Sequence, residues 1–537
     1  MKNKLKNKLS GLPRLSRLSG LPRLPGLSVD NRIKIVLASV TFLVYFLSLA
    51  RGPEIWDAPE YVKEGLEFLQ DFDLGHFNRT EYNRDPLYIL LTLPLFFLSA
   101  ASGVKIEFLL NLFSVIPSMI AVVFIYKTAR IFLNRKNSLL AGLLYIFMPW
   151  IWFNSILLDV HSLILCLDSI WFYFLMSGLK EKSDRKLLYS TVFLMLSVLS
   201  GIISAPLALV QAYFVLLHER KSSWQKRFRL ALKHLLILSA ALPFLYFWTD
   251  KVFVQKSSYE LSYSLSTFVF TFMLAAWNAI HALSLPLLIT FMLAAFYVYK
   301  IRNSSKIMNA LLISLILMLV FHTPFLVLPN YTPIVVYMPI FILVPLFTMI
   351  LLSKIGHETA LSSLLILFMA IMFLPVAANF HFFNHPHEVY AKWSNDVLPA
   401  GSVVVTGHEI PFYQAYADFS AYYSLEEALS AAGDNASVYV TSQYFKNENE
   451  VEFDQLKELA LLNPVSGGYD TYSSLVYENK TLNESQLKVK AAFTGTDRIR
   501  WMEDTYECFY SVYGNLAVKL FTCYDFPRLE YKIYELK

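Results

Sequence analysis

Residues 107–126 have the sequence EFLLNLFSVIPSMIAVVFIY, whose single charged side chain is Glu107 at its start. An apolar stretch of about 20 residues is long enough to cross the hydrocarbon core of a bilayer as a helix. Similar runs recur from Ile33 to Phe380, and after His381 the sequence becomes polar and rich in tyrosine. These runs predict a polytopic α-helical membrane protein followed by a water-soluble domain.

Composition supports the same division of the chain. Of its 537 residues, 56% are hydrophobic and 16% are charged, against about 45–50% and 25% in an ordinary globular protein. We predict a basic, disordered cytoplasmic tail at 1–32, a transmembrane domain at 33–380 and a soluble extracytoplasmic α/β domain at 381–537. A basic tail beside a transmembrane helix favours anionic lipid over nucleic acid. The lipid bilayer is therefore an expected partner, and nucleic acid is not.

The number and direction of the spans follow from hydropathy and loop charge. We predict about eleven spans, near residues 33–50, 107–126, 138–155, 160–178, 187–204, 205–217, 234–250, 281–299, 308–328, 334–352 and 360–379. With the N-terminus inside, the positive-inside rule keeps the basic loops in the cytoplasm and puts the C-terminal domain outside. The apolar residues 86–103 would reverse this pattern if they spanned. We therefore predict that they dip into the outer leaflet as a helix broken by Pro94. The composition is compatible with a prokaryotic plasma membrane, and an endoplasmic reticulum membrane stays open.

The outer domain shows short strand and helix patterns in alternation, which indicate a small α/β domain. The predicted strands are Ser402–Thr406 and Ser437–Thr441, and the predicted helices are Ser424–Ala432 and Glu452–Leu462. Its expected role is to bind or position an acceptor. The histidines from His381 to His387 are interpreted as a polar linker, because Pro386 interrupts the helical spacing that a metal site would need. A disulfide between Cys508 and Cys523 is left open.

The loop at residues 51–86 is the most charged outer loop ahead of this domain, and it begins RGPEIWDAPEY. A compact membrane protein keeps such a loop chiefly for function. Asp57 fits an N-cap, with Pro59 in the first turn and Glu60 completing a capping box. It fits a catalytic carboxylate at the membrane surface as well. The two interpretations are compatible, since a cap fixes the carboxylate and nearby N–H groups keep it ionised.

A second acidic motif, Asp159-Val-His161, lies at the outer end of the third predicted span. Asp159 is either the N-cap of the next helix or part of a site that faces the same outer surface as Asp57. His161 is interpreted as a polar residue of the interface in preference to a metal ligand. The sequence thus places two acidic motifs on the same side of the membrane.

Together these motifs resemble the GT-C superfamily of polyprenyl-phosphate-sugar-dependent glycosyltransferases, in the branch of the protein O-mannosyltransferases and the lipid A aminoarabinose transferase. The likeness rests on Trp56-Asp57-x-x-Glu60-Tyr61, Pro86-Leu87-Tyr88 and Ser155-x-x-x-Asp159. It covers residues 30–250 by motif and 250–380 by helix layout. The chain departs from the family ahead of Pro86, where Arg84-Asp85 replaces a His or Lys and a second Pro. That departure leaves the subfamily and the phosphate-binding cation open.

The resemblance implies a reaction and a set of residues. A sugar would move from a polyprenyl (dolichyl or undecaprenyl) phosphate carrier to an acceptor hydroxyl on the outer face, with inversion. Asp57 would be the catalytic base, Glu60 its accompanying acid and Asp159 the acid of the second loop. Tyr61 and Tyr88 would bind substrate. The acceptor is left open between a protein, a glycolipid and a polysaccharide.

The departing lipid phosphate gains negative charge and needs cations nearby. The candidates, in order of preference, are Arg84, Arg51, and then Lys63 and Arg79. Each arginine also fits contact with lipid headgroups. His161 is expected to help bind the substrate. No cofactor is expected and a metal-independent reaction is favoured, but if a divalent cation binds, Asp57 and Asp159 are its candidate ligands.

Two other classes of protein fit parts of the sequence. A membrane transporter with an extracytoplasmic domain would explain Asp168, an acid within a predicted span. A transporter should also show an internal repeat and ionisable groups near the midplane, whereas most acids here lie in outer loops. A non-catalytic assembly or adhesion protein gives no reason for the loop at 51–86. We therefore predict a glycosyltransferase.

Overall fold

The computed structural model describes residues 28–50, 61–62, 65–66, 69, 86–218, 224–240, 272, 275, 279–280, 282–324, 336–382, 386–406, 413, 417–422, 425–432, 437–441, 487–494 and 530–536. Several predicted features lie outside these residues: Arg51, Asp57, Glu60, Lys63, Arg79, Arg84, the helix Glu452–Leu462, Cys508 and Cys523.

The described part of the chain is mostly α-helical. Up to residue 218 the helices are α1 (Val29–Leu47), α2 (Pro86–Ser102), α3 (Ile106–Phe132), α4 (Arg135–Phe147), α5 (Pro149–Ile156), α6 (His161–Glu181), α7 (Asp184–Ser200) and α8 (Leu207–His218). Further along are α9 (Trp224–Ser239), α10 (Leu285–Ile301), α11 (Lys306–His322), α12 (Val344–Ile355), α13 (Glu358–Phe382) and α14 (Pro386–Val397). Short 3-10 helices occupy Ile202–Ser204, Arg302–Ser304 and Met338–Ile342.

Side-chain caps fix several helix ends. The side chain of Ser28 accepts a hydrogen bond from the Asn31 N–H at 3.3 Å and starts α1. That of Asn134 accepts from the Asn137 N–H at 2.9 Å and starts α4. Each cap satisfies one of the N–H groups that have no partner within the first turn. Gly356, at φ 85°, ends α12 in the left-handed conformation that glycine adopts readily.

Helix α6 lies at the centre of the helical region. It packs against α3 and α7, and its side chains are buried along most of its length. Trp171 of α6 donates from Nε1 to Gln211 Oε1 of α8 at 3.0 Å. One continuous cluster of buried apolar side chains extends from α1 to α13. Helix α6 is therefore held by neighbours from several helices.

Four helical segments of the described chain are long and apolar enough to cross a membrane: Ile106–Phe132, His161–Glu181, Leu285–Ser304 and Met338–Ile355. The pair α4 and α5 reaches that length only together and is bent by 61°. The bend falls at Met148, whose φ of −61° and ψ of 124° are extended. A residue before proline is disfavoured in the α conformation, and Pro149 follows. The span predicted at 138–155 thus consists of two helices joined at a bend, and the count of eleven spans stays a prediction.

Three further boundaries differ from the prediction. Helix α2 continues through Pro94 and does not break there. A proline removes one intrahelical hydrogen bond, and apolar surroundings favour keeping the others. Helix α9 begins ten residues ahead of the predicted span at 234–250, because its basic first half lowers the local hydropathy. His381, expected in a linker, lies in α13.

The C-terminal part contains a five-stranded sheet in the order β2-β1-β3-β5-β4. The strands are β1 (Val403–Val405), β2 (Ser420–Tyr422), β3 (Val438–Thr441), β4 (Lys488–Thr494) and β5 (Glu530–Glu535). β1 is parallel to β2 and β3, whereas β5 is antiparallel to β3 and β4. Helix α15 (Leu425–Ala432) packs on β1. These elements lie within the predicted α/β domain, whose full extent and outer location stay predictions.

Candidate active site

The structure describes only some residues of the site predicted from the sequence. Asp159 and His161 are described, and so are Tyr61, within the first outer loop, and Tyr88, just after it. The remaining predicted site residues, Arg51, Asp57, Glu60 and Arg84, lie outside the described part of the chain. Their positions relative to Asp159 stay a prediction.

Asp159 and His161 form a side-chain pair at the amino end of α6. Asp159 Oδ2 contacts His161 Nδ1 directly. The Asp159 side chain is 5% exposed and that of His161 is 19% exposed. A carboxylate that holds one ring nitrogen fixes the orientation of an imidazole. The pair is therefore an oriented acid and imidazole, of which the imidazole is the more accessible member.

The capping alternative for Asp159 is met in part. The position before the helix is Val160, and no side chain caps it in the usual way. Asp159 Oδ1 nevertheless accepts a hydrogen bond from the His161 N–H at 3.4 Å. One carboxylate oxygen thus faces the backbone at the start of the helix while the other contacts the imidazole. Capping and a role in a site are compatible at this residue.

A backbone hydrogen bond joins the segments that lead to the two acidic motifs. The Ala50 N–H donates to the Ile156 carbonyl at 3.2 Å. Ala50 directly precedes the first outer loop, and Ile156 directly precedes the Leu157-Leu158-Asp159 stretch. Trp152 Nε1 also donates to Ser48 Oγ at 3.1 Å. The start of the loop that carries Asp57 is therefore adjacent to the chain that carries Asp159.

The described residues that follow Asp57 in this loop, from Tyr61 onward, pack against α2. Tyr61 is buried, and its ring lies edge-on to that of Tyr88, with 5.0 Å between the centroids. Gly65 lies so close to Phe96 of α2 that a Cβ on Gly65 would overlap the ring. These contacts bind the helical turn after Asp57 to α2. Both tyrosines thus have packing roles, and their predicted contact with substrate stays a prediction.

Asp168 lies two turns further along α6 in a different environment. Its side chain is fully buried. Oδ1 accepts from Ser197 Oγ of α7 at 2.7 Å. Ser204 Oγ, in the 3-10 helix, lies 3.2 Å from Oδ2, and the two serine hydroxyls are 3.0 Å apart. Asp168 therefore joins three consecutive elements of the fold.

The donor groups of the described residues do not form a complete metal centre. Within them, no three His, Cys, Asp or Glu side chains lie close enough together to hold an ion. Asp159 and His161 supply one oxygen and one nitrogen donor, and the predicted further ligand, Asp57, lies outside the described residues. Within the described C-terminal histidine segment, His381 contacts a backbone carbonyl, and Glu388 pairs with Lys392.

Two further residues lie near the site: Asn111, which the sequence analysis did not single out, and His381, which was interpreted as part of a polar linker. Asn111 of α3 donates from Nδ2 to the Ala50 carbonyl at 3.0 Å. The ring of His381 lies 2.8 Å from the Leu49 carbonyl. An amide inside an apolar helix was a usable signal for Asn111, because polar groups in spans are rare and usually have a role. Nothing in the sequence links His381 to a residue more than 300 positions away.

The family model of the dolichyl-phosphate-mannose-protein mannosyltransferases matches residues 93–248. No curated protein matches the sequence. The structure of the Archaeoglobus fulgidus oligosaccharyltransferase in complex with Zn and sulfate is similar at a TM-score of 0.50 and 14% identity, over 76% of this chain and 67% of that chain. That of Archaeoglobus fulgidus AglB with an inhibitory peptide and a dolichol-phosphate is similar at 0.52 and 12% identity, over 77% and 69%.

At these identities the solved structures establish the fold, and the family model adds the link to mannosyltransferases. The chain is an integral membrane protein with the fold of these structures, and its residues 93–248 resemble the dolichyl-phosphate-mannose-protein mannosyltransferases. Its predicted resemblance to the GT-C superfamily is confirmed, and the matched family model agrees with the protein O-mannosyltransferase branch.

Proposed function

We propose that this protein transfers a sugar from a polyprenyl phosphate to an acceptor hydroxyl at the outer face of the membrane. Asp57 is the general base, Glu60 is its accompanying acid, and Asp159 with His161 completes the site from the second loop. The observation that carries this proposal is the hydrogen bond between Ala50 and Ile156. It brings the start of the loop that holds Asp57 next to the segment that ends in the buried Asp159–His161 pair.

The reaction is a single displacement. The acceptor hydroxyl oxygen forms a bond to the anomeric carbon, and its proton passes to the Asp57 carboxylate. The bond between that carbon and the phosphate oxygen breaks, and its electron pair leaves with the lipid phosphate. Attack from the face opposite the leaving group inverts the anomeric centre. General-base catalysis of this kind typically contributes about 10²–10⁴ in rate.

The leaving phosphate requires positive charge at the outer interface. Arg84 and Arg51 lie at the two ends of the first outer loop in sequence, which suits them to contact a phosphate beside the membrane. A guanidinium offers paired donors to phosphate oxygens. His161, oriented by Asp159, is our further candidate for this contact, and Tyr61 and Tyr88 complete the predicted substrate-binding set.

A lipid-linked donor and a protein acceptor are the favoured substrates. The matched family model describes transfer of mannose from dolichyl phosphate to protein. AglB, which has a similar fold, was solved with a dolichol-phosphate and a peptide. Glycolipid and polysaccharide acceptors have no comparable support. We further propose that the N-terminus is cytoplasmic and the C-terminal domain lies outside, where it binds or positions the acceptor.

We propose a metal-independent reaction. The oligosaccharyltransferase of similar fold was solved in complex with Zn, so the need for a metal ion in this reaction has to be tested. Asp159 contacts His161. Orienting this imidazole for contact with a phosphate accounts for the carboxylate without a metal ion. Asp57 and Asp159 remain the residues that would bind a divalent cation if one takes part.

The test is a donor panel with the full-length protein in lipid nanodiscs. Mannose and other sugars are offered on dolichyl and on undecaprenyl phosphate, together with a Ser/Thr peptide library. We expect release of the polyprenyl phosphate, a peptide mass increase of one sugar, and a product of inverted anomeric configuration by NMR. Matched peptides with Ala at each Ser and Thr should stay unmodified. Transfer from nucleotide sugars, or a product with retained configuration, would contradict the proposal.

A further inference from the structure

The chain just before the catalytic loop is held by side chains from distant helices. Helix α1 ends at Leu47, and the next three residues run without helical structure toward the loop. The Leu49 carbonyl lies 2.8 Å from His381 Nδ1 of α13. The Ala50 carbonyl accepts from Asn111 Nδ2 of α3 at 3.0 Å. Two successive carbonyls thus bind donors from two different helices.

The direction of the His381 contact follows from chemistry. A carbonyl oxygen can only accept, so Nδ1 of the imidazole carries the hydrogen in this contact. Backbone groups that leave a helix within a protein interior need partners, which explains why some donor is present. It does not explain why two long-range side-chain donors converge on this particular stretch. Their shared target is the segment that leads to Asp57.

The described residues that flank the segment 51–60 are held by side chains of other helices. Upstream, the contacts of His381 and Asn111 hold residues 49 and 50. Downstream, Tyr61 is packed on Tyr88. Only the ten residues 51–60 separate these anchors. A general base must lie within hydrogen-bond reach of the proton it removes. Displacing either anchor should therefore lower the rate of transfer more than it lowers the affinity for the donor.

Helix α13 also leads toward the C-terminal sheet. Helix α14 follows it after a short connection, and Tyr390 of α14 donates from its hydroxyl to the Lys532 carbonyl of β5 at 3.1 Å. The ring of Tyr390 packs edge-on against that of Tyr413. In sequence, His381 therefore lies just ahead of the helix that contacts the sheet.

We infer that His381 is a positioning residue for sugar transfer: its Nδ1–H holds the Leu49 carbonyl, and with it the entry to the loop in which Asp57 is the proposed base. Asn111 supports the neighbouring carbonyl in the same way. The inference rests on the proposed function for the role of Asp57. It does not require His381 to touch the substrate.

The test uses a matched series at one position. The amide nitrogen of Asn can take the place of Nδ1, whereas that of Gln reaches the place of Nε2. We expect His381→Asn to keep kcat within about threefold of wild type, and His381→Gln and His381→Phe to lower it by about 10-fold to 100-fold with unchanged donor Kd. His322 provides the control, because its Nδ1–H bonds Met318 within its own helix. His322→Phe should leave kcat unchanged, whatever its effect on Tm.

A double-mutant cycle and hydrogen exchange complete the test. The kcat losses of His381→Phe and Asn111→Leu should combine less than additively, since both act on one segment. Amide exchange in peptides covering 48–62 should rise in His381→Phe and not in His381→Asn. Equal kcat in the Asn and Gln variants, or unchanged exchange in His381→Phe, would overturn the inference. If the wild type transfers no sugar, the proposed function fails, and exchange alone still decides whether His381 holds the loop.

Discussion

Asp159, just ahead of helix α6, and Asp168, within it, are the same type of side chain in two different environments. Asp159 and Asp168 are both almost inaccessible to solvent, at 4% and 0% exposure. Asp159 contacts the partly exposed His161 at the end of the helix. Asp168 is enclosed by the hydroxyls of Ser197 and Ser204, which belong to two other elements.

The difference teaches that burial alone does not identify a functional acid in a membrane protein. The partner decides. An imidazole with access to solvent can exchange protons and meet a phosphate, whereas serine hydroxyls enclosed in a helical core can only satisfy the carboxyl group. Asp168 was the main support for a transporter, and its enclosure is explained by the joining of α6, α7 and the 3-10 helix. We therefore propose a role in the reaction for Asp159 and a structural role for Asp168.

The largest expected effect on activity within this pair is at Asp159. Asp159→Asn keeps the shape of the side chain but removes the charge that orients His161. We expect kcat/KM for sugar transfer to fall by about 10-fold to 100-fold, with Tm nearly unchanged. Initial rates of polyprenyl phosphate release measure the first quantity, and thermal unfolding in detergent measures the second. Asp168→Asn is the matched control and should retain wild-type activity.

The largest expected effect on stability is at Asp168. Asp168→Ala removes a buried acceptor from Ser197 and Ser204, which then have chiefly each other. We expect a loss of about 1–3 kcal/mol in the free energy of unfolding, and a rate per folded molecule close to that of wild type. Thermal unfolding followed by activity of the surviving fraction measures both. An inactive but stable Asp168→Ala protein would reverse the comparison and favour transport.

A smaller effect is expected at a third acid, Asp30, near the start of α1. The Tyr126 hydroxyl at 2.7 Å and the Arg135 guanidinium at 2.9 Å lower the pKa of Asp30 below its ordinary value. A lowered folded-state pKa adds stability that is present above the unfolded pKa of about 3.9 and is lost as pH falls through the folded pKa. As the pH is lowered from 5, the Tm of the wild type should fall further than the Tm of Asp30→Asn. An equal fall in Tm for the two proteins would show that the contacts of Asp30 with Tyr126 and Arg135 contribute nothing to stability.

The smallest expected effect is that of metal removal. If Asp159 serves to orient His161, chelation with EDTA should leave the rate of transfer within about twofold of its untreated value. Rates before and after dialysis against the chelator, and after adding back Zn²⁺, Mg²⁺ or Mn²⁺, measure this. A loss of activity that one ion restores would assign Asp159 to a metal centre instead.

The sequence predicted the class of fold and part of the site for physical reasons that also mark its limits. Apolar runs and basic loops are local signals, so the starts of α3 and α6 were predicted to within one residue. The bend at Met148 was missed because hydropathy does not register direction, although Pro149 was the available signal. Asp159 and His161 are only two positions apart, so their contact depends on local structure. The contact of His381 with Leu49 depends on tertiary packing, which a single sequence does not display.

The central claim is that Asp57 is the base of a lipid-phosphate-dependent transfer. The most direct test compares the wild type with Asp57→Asn for release of polyprenyl phosphate, with donor binding measured on the same preparations. Our account predicts a rate lower by about 10²–10⁴, with donor Kd and Tm close to those of wild type. An Asp57→Asn protein that transfers sugar at the wild-type rate would contradict it.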